Sequence, residues 1–221
     1  MLKYILPCLL LSCFHTSSFA FEQHQGIHYN IIQTGIKVGE ASLSFKGKML
    51  YRGQEAIFIE FIADGFNFLD HEKIYLDLKS LKPIAVERSL NIFGQKEEIV
   101  ETYLAGKVVI VKTSGAKRQE QTIDKAGLID NIYAFIYRFR ASGVFELNKE
   151  FAINLPTKDI KIVISKKDKM KVAGKSYDVF FMSSKPSKYK IWFDASSDKL
   201  PLKISGAVGI ANTSMVMTSY E

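Results

Sequence analysis

The sequence predicts a mainly β protein, a curved antiparallel sheet in the form of a half-barrel or open barrel, with one amphipathic helix near residues 128–141. Three patterns lead to this prediction. Apolar and polar residues alternate in several short segments. Turn residues recur at intervals of about 8–12 positions, as in a meandering sheet. A single segment has the period of a helix instead.

The alternating segments are typical of strands that turn one face toward a core and the other toward water. Every second residue is apolar in residues 41–45, 160–164 and 189–193. Two other segments, residues 56–68 and 179–182, are apolar on both faces. Both faces of these strands are therefore expected to be covered, by the helix or by something that the sheet wraps around.

The helical segment carries an apolar stripe from Leu128 to Phe139, at the spacing i, i+4, i+7, i+8 and i+11. Asp124 or Asp130 could cap its start, and Gly143 suits its end. A single amphipathic helix among so many strands is expected to lie in or across the concave side of the sheet.

The N-terminus predicts an export signal. Residues 1–3 supply a short positive start through Lys3, residues 4–14 form an apolar run of eleven, and residues 15–20 are small and polar. The small residues place the cleavage after Ala20. Since a bilayer span needs about twenty apolar residues, the run is too short to anchor the chain. Residues 21–221 are expected to form a single β-rich domain in the periplasm.

A lipoprotein is the alternative, because residues 10–13 resemble a bacterial lipobox with Cys13 as the lipid-bearing residue. The chain has two cysteines, Cys8 and Cys13, and both lie in the signal. Cleavage after Ala20 would leave none. Disulfides, thiolate nucleophiles and cysteine metal sites are then excluded.

Residues that could act in catalysis form no recognisable constellation: the chain contains neither HExxH nor GxSxG. Asp70, His71 and Glu72 alternate between two strand faces, cannot all bind one ion, and are expected at a solvated strand end. Glu97 and Glu101 share a face, but a strand this polar predicts solvated carboxylates. We expect a non-enzymatic protein with no catalytic residue, metal site or cofactor.

The net charge of +7 comes from the C-terminal half. Residues 147–203 hold 13 Lys and 6 acidic residues. Such a basic face could meet an anionic membrane surface, although lysines that keep an exposed strand edge soluble are the favoured interpretation. Nucleic acid is not an expected partner, because nucleic-acid binders usually mix arginine with stacking aromatics and an exported protein meets little nucleic acid.

Aromatic residues are crowded into one strand with its turn and into the helix. This pattern fits an ordinary aromatic core, or an apolar cavity between sheet and helix that binds a ligand. The ligand-binding residues predicted for such a groove are Phe58, Phe61, Phe66, Phe68, Tyr133, Tyr137 and Trp192.

Three motifs resemble the bacterial family named domain of unknown function 3108. They are residues 35–41 (GIKVGEA), residues 130–138 (DNIYAFIYR) and residues 192–204, which open with WFD and close with DKLPLKI. They occur in the family's order over nearly the whole chain after the signal. The resemblance implies an exported β-rich protein of the Gram-negative envelope, related in shape to the open half-barrels of periplasmic lipoprotein carriers. It implies no reaction and no functional residues.

The leading functional prediction is a non-enzymatic periplasmic protein that binds a lipid or acyl chain in a sheet–helix groove. The first alternative is a structural or assembly module that binds an envelope protein through a strand edge or the basic face. The second is an envelope hydrolase, which would need a buried cluster of Asp, Glu, His or Ser. The sequence sets no oligomeric state.

Overall fold

The computed structural model describes residues 25–208 and 212–221. The predicted signal peptide, its cleavage site and the lipobox therefore lie outside the described residues. Within these ranges the chain forms fourteen strands and one helix, in the chain order β1 (Gln25–Gln33), β2 (Ile36–Tyr51), β3 (Gln54–Gly65), β4 (Phe68–Leu76), β5 (Pro83–Ile92), β6 (Gln95–Leu104), β7 (Lys107–Ser114), β8 (Lys117–Asp124), α1 (Ile132–Ser142), β9 (Glu150–Leu155), β10 (Lys158–Val172), β11 (Lys175–Lys185), β12 (Lys190–Asp194), β13 (Pro201–Ser205) and β14 (Thr213–Tyr220).

All fourteen strands belong to one antiparallel sheet. Each strand pairs with the next strand in sequence, apart from β8 and β9, which no ladder joins. In addition, β1 pairs with β14. The sheet is curved and open, and its edges are β8 and β9. The predicted fold class, mainly β with one helix, is confirmed.

The segment between β8 and α1 holds the two edges of the sheet near each other. The ammonium of Lys125 donates to the carbonyl of Leu155 on β9. The side-chain amide of Asn154 donates to the carbonyl of Ala126 at 3.0 Å, and the N–H of Asp130 donates to the carbonyl of Asn154 at 2.7 Å. The edge strand β9 is thus covered by this segment instead of by β8.

The helix is shorter than the apolar stripe predicted. Leu128 lies before it and is 64% exposed, because residues 125–131 run along β9. The cap is Asn131, not Asp124 or Asp130: its side-chain oxygen accepts the N–H groups of Tyr133 and Ala134. Gly143 ends the helix as predicted, and its N–H donates to the carbonyl of Phe139 at 2.7 Å.

The helix packs on the inner face of the sheet, where it is buried on nearly all sides. The ring of Phe139 lies 5.0 Å from Phe193 and 5.5 Å from Phe151. On the outer face, cross-strand aromatics cover the two-sided apolar strands: Phe58 lies 5.5 Å from the ring of Tyr75. The helix covers the inner face of these strands, and aromatic side chains of neighbouring strands pack over the outer face. In the part of the chain described, no helix is long and apolar enough to cross a membrane.

Phe139 is expected to be among the side chains that the fold depends on most. Phe139→Ala should lower the free energy of unfolding by about 3–5 kcal/mol, since it removes a ring packed among other rings. Phe66→Ala is the matched control, because Phe66 is 86% exposed in a turn and should change stability by less than about 0.5 kcal/mol. Urea denaturation measures both variants. Equal losses would contradict this account of the core.

Candidate ligand-binding pocket

A cavity of about 320 Å³ opens beside the N-terminal end of α1. Its floor is the inner face of β4–β7, and its walls are the start of α1, the turn between β9 and β10, and the loop between β11 and β12. Apolar and polar side chains both line it: Glu72, Val86, Arg88, Ile99, Glu101, Tyr103, Ile110, Lys112, Asp130, Asn131, Ile132, Tyr133, Leu155, Pro156, Thr157, Lys158, Lys188, Tyr189, Ala207 and Val208.

Strand register places four charged side chains on the floor of the pocket, Lys112 on β7 and three more on β4–β6. Glu72 on β4 lies opposite Arg88 on β5. On the next pair of strands, Val86 lies opposite Glu101. Cross-strand partners share a face of the sheet, as do residues two apart on a strand. Glu72, Arg88 and Glu101 therefore all face inward, as their place in the pocket lining shows.

Arg88 is held mainly by Asp70, which shares the inner face of β4 with Glu72 but does not line the pocket. Its Nε and Nη2 atoms donate to the two carboxylate oxygens of Asp70 at 2.7 Å and 2.5 Å, a bidentate geometry that favours the charged pair. Glu72 lies farther from Nε, at 3.4 Å. The solvated strand end expected for Asp70 and Glu72 is wrong, because both side chains are buried by the inner face.

Burial raises the pKa of Glu72 to about 8, although the Arg88 guanidinium opposes that shift. Burial also raises the pKa of Glu101, against the hydrogen bond that the Tyr103 hydroxyl donates to it. With its pKa near 8, the Glu72 carboxyl is mostly protonated at neutral pH and can donate a hydrogen bond. The expectation of a solvated carboxylate is wrong for Glu101, because that side chain lies partly buried in the pocket lining, while Glu97 forms an ion pair with Lys112 at 3.6 Å.

The start of the helix forms one wall of the pocket. Asp130 is fully buried and forms ion pairs with Lys82, at 2.7 Å, and with Arg138. The next residue, Asn131, caps the helix through its oxygen and forms a side-chain hydrogen bond to Glu72. The helix start is thus tied to the floor of the pocket by polar contacts.

Tyr133, on the wall of the pocket, carries an unsatisfied polar group. Its ring stacks on Phe61, with 4.3 Å between the centroids, and its side chain is 1% exposed. Its hydroxyl is buried and has no hydrogen-bond partner among the described residues. A buried polar group left in this state costs about 1–3 kcal/mol.

The predicted ligand-binding residues are not brought together in one site. Tyr133 lines the pocket, and Phe61 packs behind it. Phe68 and Tyr137 lie in the core, where the Tyr137 hydroxyl donates to the carbonyl of Leu43 at 3.4 Å.

The other three lie away from the pocket. Phe58 and Trp192 are on the outer face, with Trp192 4.8 Å from the ring of Phe181. Phe66 is exposed in the turn between β3 and β4. Of the seven, Tyr133 is the one on the pocket wall, and a ligand-binding role for the set stays a prediction.

Sequence reasoning missed the charged side chains of the pocket. The spacing of Asp70 and Glu72 indicates one shared strand face, but only pairing with β5 shows that this face is the inner one. Lys158 and Lys188, 30 positions apart in the chain, meet at the pocket through the order of β9–β12. No local signal indicated these contacts.

In residues 25–208 and 212–221, no group of three or more metal-binding side chains is present.

Tyr133→Phe and Tyr29→Phe are expected to change stability in opposite directions. The Tyr133 hydroxyl is buried without a partner, so its removal should leave the free energy of unfolding unchanged or raise it by about 1 kcal/mol. The buried Tyr29 hydroxyl donates to the carbonyl of Pro201 at 3.0 Å. Its removal should lower stability by about 1 kcal/mol. Urea denaturation of the ligand-free protein makes the comparison, and equal losses would refute it.

Stability is expected to fall as the pH rises toward 8. The folded-state pKa of Glu72, about 8, lies above the value of about 4.3 in an unfolded chain. The native state therefore binds the extra proton between these values. Its stabilising effect is complete below about pH 4 and is lost as the pH rises through about 8.

Glu72→Gln should flatten this pH dependence, reducing the fall in unfolding free energy between about pH 5 and pH 8 by about 1–3 kcal/mol. Glu101, whose pKa is also raised, would supply part of the remaining slope. Glu98→Gln is the matched control, since Glu98 is exposed and hydrogen-bonded to Ser89 on the outer face. A Glu72→Gln variant with the full slope would rule out a buried, protonated Glu72.

Comparison with known proteins identifies a family and a related fold. A family model described as a protein of unknown function, DUF3108, matches residues 27–218. A search of curated proteins finds no match. Among solved structures, the chain is similar to the crystal structure of a β-barrel-like protein of domain of unknown function DUF1849 from Brucella abortus. The TM-score is 0.52 at 8% identity, over 90% of this chain and 97% of that chain.

At this identity the similarity to the Brucella abortus protein shows a shared fold and nothing about activity. The family match is stronger, because it extends from β1 to β14 and agrees with the family that the three sequence motifs resemble. The chain belongs to the DUF3108 family.

Proposed function

We propose that this chain is a non-enzymatic protein of the cell envelope that binds a small amphipathic molecule in the pocket at the start of α1. The observation that carries the proposal is the buried hydroxyl of Tyr133, which has no partner in the described residues and belongs to a residue that lines a cavity of about 320 Å³. Natural proteins rarely leave a buried polar group unpaired. A ligand that hydrogen-bonds this hydroxyl would remove the cost.

The dimensions of the pocket suit a small molecule. A volume of about 320 Å³ is at the lower end of the range for ligand sites, which is roughly 300–1,000 Å³. The helix fills the inner face with aromatic side chains at Phe135 and Phe139, whose rings lie 6.1 Å apart. The space left for a ligand is therefore at the N-terminal end of the helix, beside residues 130–133.

The lining narrows the predicted apolar ligand, a lipid or acyl chain, to a molecule that is amphipathic. Val86, Ile99 and Leu155 supply apolar walls. The floor, however, carries Glu72 and Arg88, and covering charged or hydrogen-bonding groups with hydrocarbon alone is costly. A ligand with an apolar body and polar groups would satisfy both parts of the lining.

A hydrolase is the second candidate, and one specific feature favours it. Glu72 and Glu101 line the same cavity, and burial raises the pKa of both carboxyls. Shifted carboxyls of this kind can act as a general acid. Arg88 is already engaged by Asp70, however, and no nucleophile–base pair stands with the two carboxyls in the described residues.

An assembly module is supported less by the geometry. Strand addition uses an edge with free backbone groups and few charges. Strand β8 offers an edge, but it carries Lys117, Arg118 and Glu120. Strand β9 is covered in part by the segment that follows β8, through Asp130.

Native mass spectrometry of the mature protein, purified gently from its own envelope, tests the proposal. We expect a reproducible bound molecule in the wild type and in Tyr29→Phe, and less of it in Tyr133→Phe. The reason is that Tyr133 lines the pocket and Tyr29 does not. Organic extraction identifies the molecule. Recovery of a cleaved product, abolished in Glu101→Gln, would favour the hydrolase instead. A ligand-free mass in every sample, with added amphiphiles failing to bind, would contradict the proposal.

A further inference from the structure

Two lysines stand side by side at the mouth of the pocket. Lys158 opens β10, and Lys188 lies in the loop between β11 and β12. Their ammonium groups lie 5.9 Å and 4.9 Å from the centroid of the same ring, that of Tyr189. Partial burial and the adjacent Lys188 ammonium hold the pKa of Lys158 below its usual range. Two like charges in one place carry an energetic cost.

Neither lysine forms an ion pair with an acidic residue in the described part of the chain. Two other lysines of the same strand do: Lys161 lies 3.7 Å from Glu150, and Lys166 lies 2.6 Å from Asp168. The carboxylate next to Lys158, that of Asp159, is paired with Lys125 at 2.7 Å. The positive charge at the mouth of the pocket is thus not neutralised by the protein.

The loop that carries Lys188 is held in place by buried contacts. The hydroxyl of Ser184, 3% exposed, accepts the N–H groups of Lys188 at 3.0 Å and Tyr189 at 2.9 Å. It donates to the carbonyl of Pro186 at 2.7 Å. On the other side, a Cβ at Gly206 would lie 2.0 Å from the carbonyl oxygen of Lys188. The backbone at Lys188 is therefore fixed, which lowers the entropy cost of binding.

We infer that Lys158 and Lys188 form an anion subsite, and that the ligand of the pocket is an amphipathic anion whose phosphate or carboxylate group lies between the two ammonium groups. This inference rests on the proposed function, since it assigns one end of the same ligand. Lysine binds phosphate and carboxylate through charge-assisted hydrogen bonds.

The pocket itself sets the orientation of such a ligand. The two cations of the floor, Arg88 and Lys112, are already paired with Asp70 and Glu97, whereas the two lysines at the mouth have no carboxylate partner in the described residues, so a negative group is favoured at the mouth. The apolar body would lie against the apolar walls, and a hydroxyl or carbonyl of the ligand would reach the Tyr133 hydroxyl. The anion, the apolar body and the inner polar group then each meet a matching part of the lining.

The test compares three probes on the mature protein by isothermal titration calorimetry, below the micelle concentration of each amphiphile. The probes are decyl phosphate, decyl glucoside with the same chain and no charge, and inorganic phosphate. The variants are Lys158→Gln with Lys188→Gln and, as the matched control, Lys185→Gln with Lys190→Gln. The control removes two lysines from the same region that do not line this pocket.

We expect the wild type and the control to bind decyl phosphate at least about tenfold more tightly than decyl glucoside. The Lys158/Lys188 double variant should lose about 10- to 100-fold in affinity for decyl phosphate, with little change for the glucoside. Since the interaction is electrostatic, raising the salt concentration should weaken decyl phosphate binding in the wild type more than in the double variant.

The outcomes separate this inference from the proposed function. Equal affinity of the wild type for the two amphiphiles, or unchanged decyl phosphate binding in the double variant, would overturn the anion subsite and leave the pocket as a ligand site. Inorganic phosphate that binds as tightly as decyl phosphate would support the subsite and overturn the amphipathic ligand. Failure of both amphiphiles to bind any form would overturn the proposed function as well.

Discussion

The burial of α1 on the inner face of the sheet is the constraint on which the rest of the structure depends. A curved sheet cannot cover its own inner face, and here one helix supplies the cover. Apolar side chains line that face at Phe61 and Phe193, and rings from the helix pack on both. On the neighbouring strands the inner face becomes charged at Glu72 and Arg88. The helix does not cover these charged side chains, and the pocket lies where the apolar part of the inner face meets the charged part.

A buried carboxylate fixes where the helix begins. Asp130 is fully buried, immediately before the cap residue, and is paired with Lys82 from the turn after β4 and with Arg138 from the helix itself. Loss of either cation would leave a buried charge poorly compensated, which is strongly destabilising. Because the N–H of Asp130 also binds β9, this residue joins the edge strand β9 to the wall of the pocket.

The fold could be predicted from the sequence because its determinants are local. Alternation at residues 41–45 and 160–164 indicates strands, and the helical stripe with Gly143 indicates where the helix ends. The pocket depends on which strands are neighbours. Glu101 is mostly buried because β6 pairs with β5, and Lys188 lies near Lys158 because β11 pairs with both β10 and β12. A meander predicts that successive strands pair, but not the register of each pair or which face of a strand is the inner one. The burial of the inner face of β4 therefore cannot be predicted from its local pattern.

The features that support a function are local energetic costs, and they occur together. The Tyr133 hydroxyl is unpaired although the Tyr29 hydroxyl, equally buried, has a carbonyl partner. Lys158 and Lys188 repel each other, whereas Lys161 on the same strand is paired with the carboxylate of Glu150. Glu72 favours its protonated form although Asp70, two residues away, has a bidentate arginine. A single cost of this kind, such as the buried side-chain oxygen of Asn91, unpaired in the described residues and away from this cavity, is a tolerated irregularity. Three costs of different kinds around one cavity are the pattern expected where the fold gives up stability to bind something.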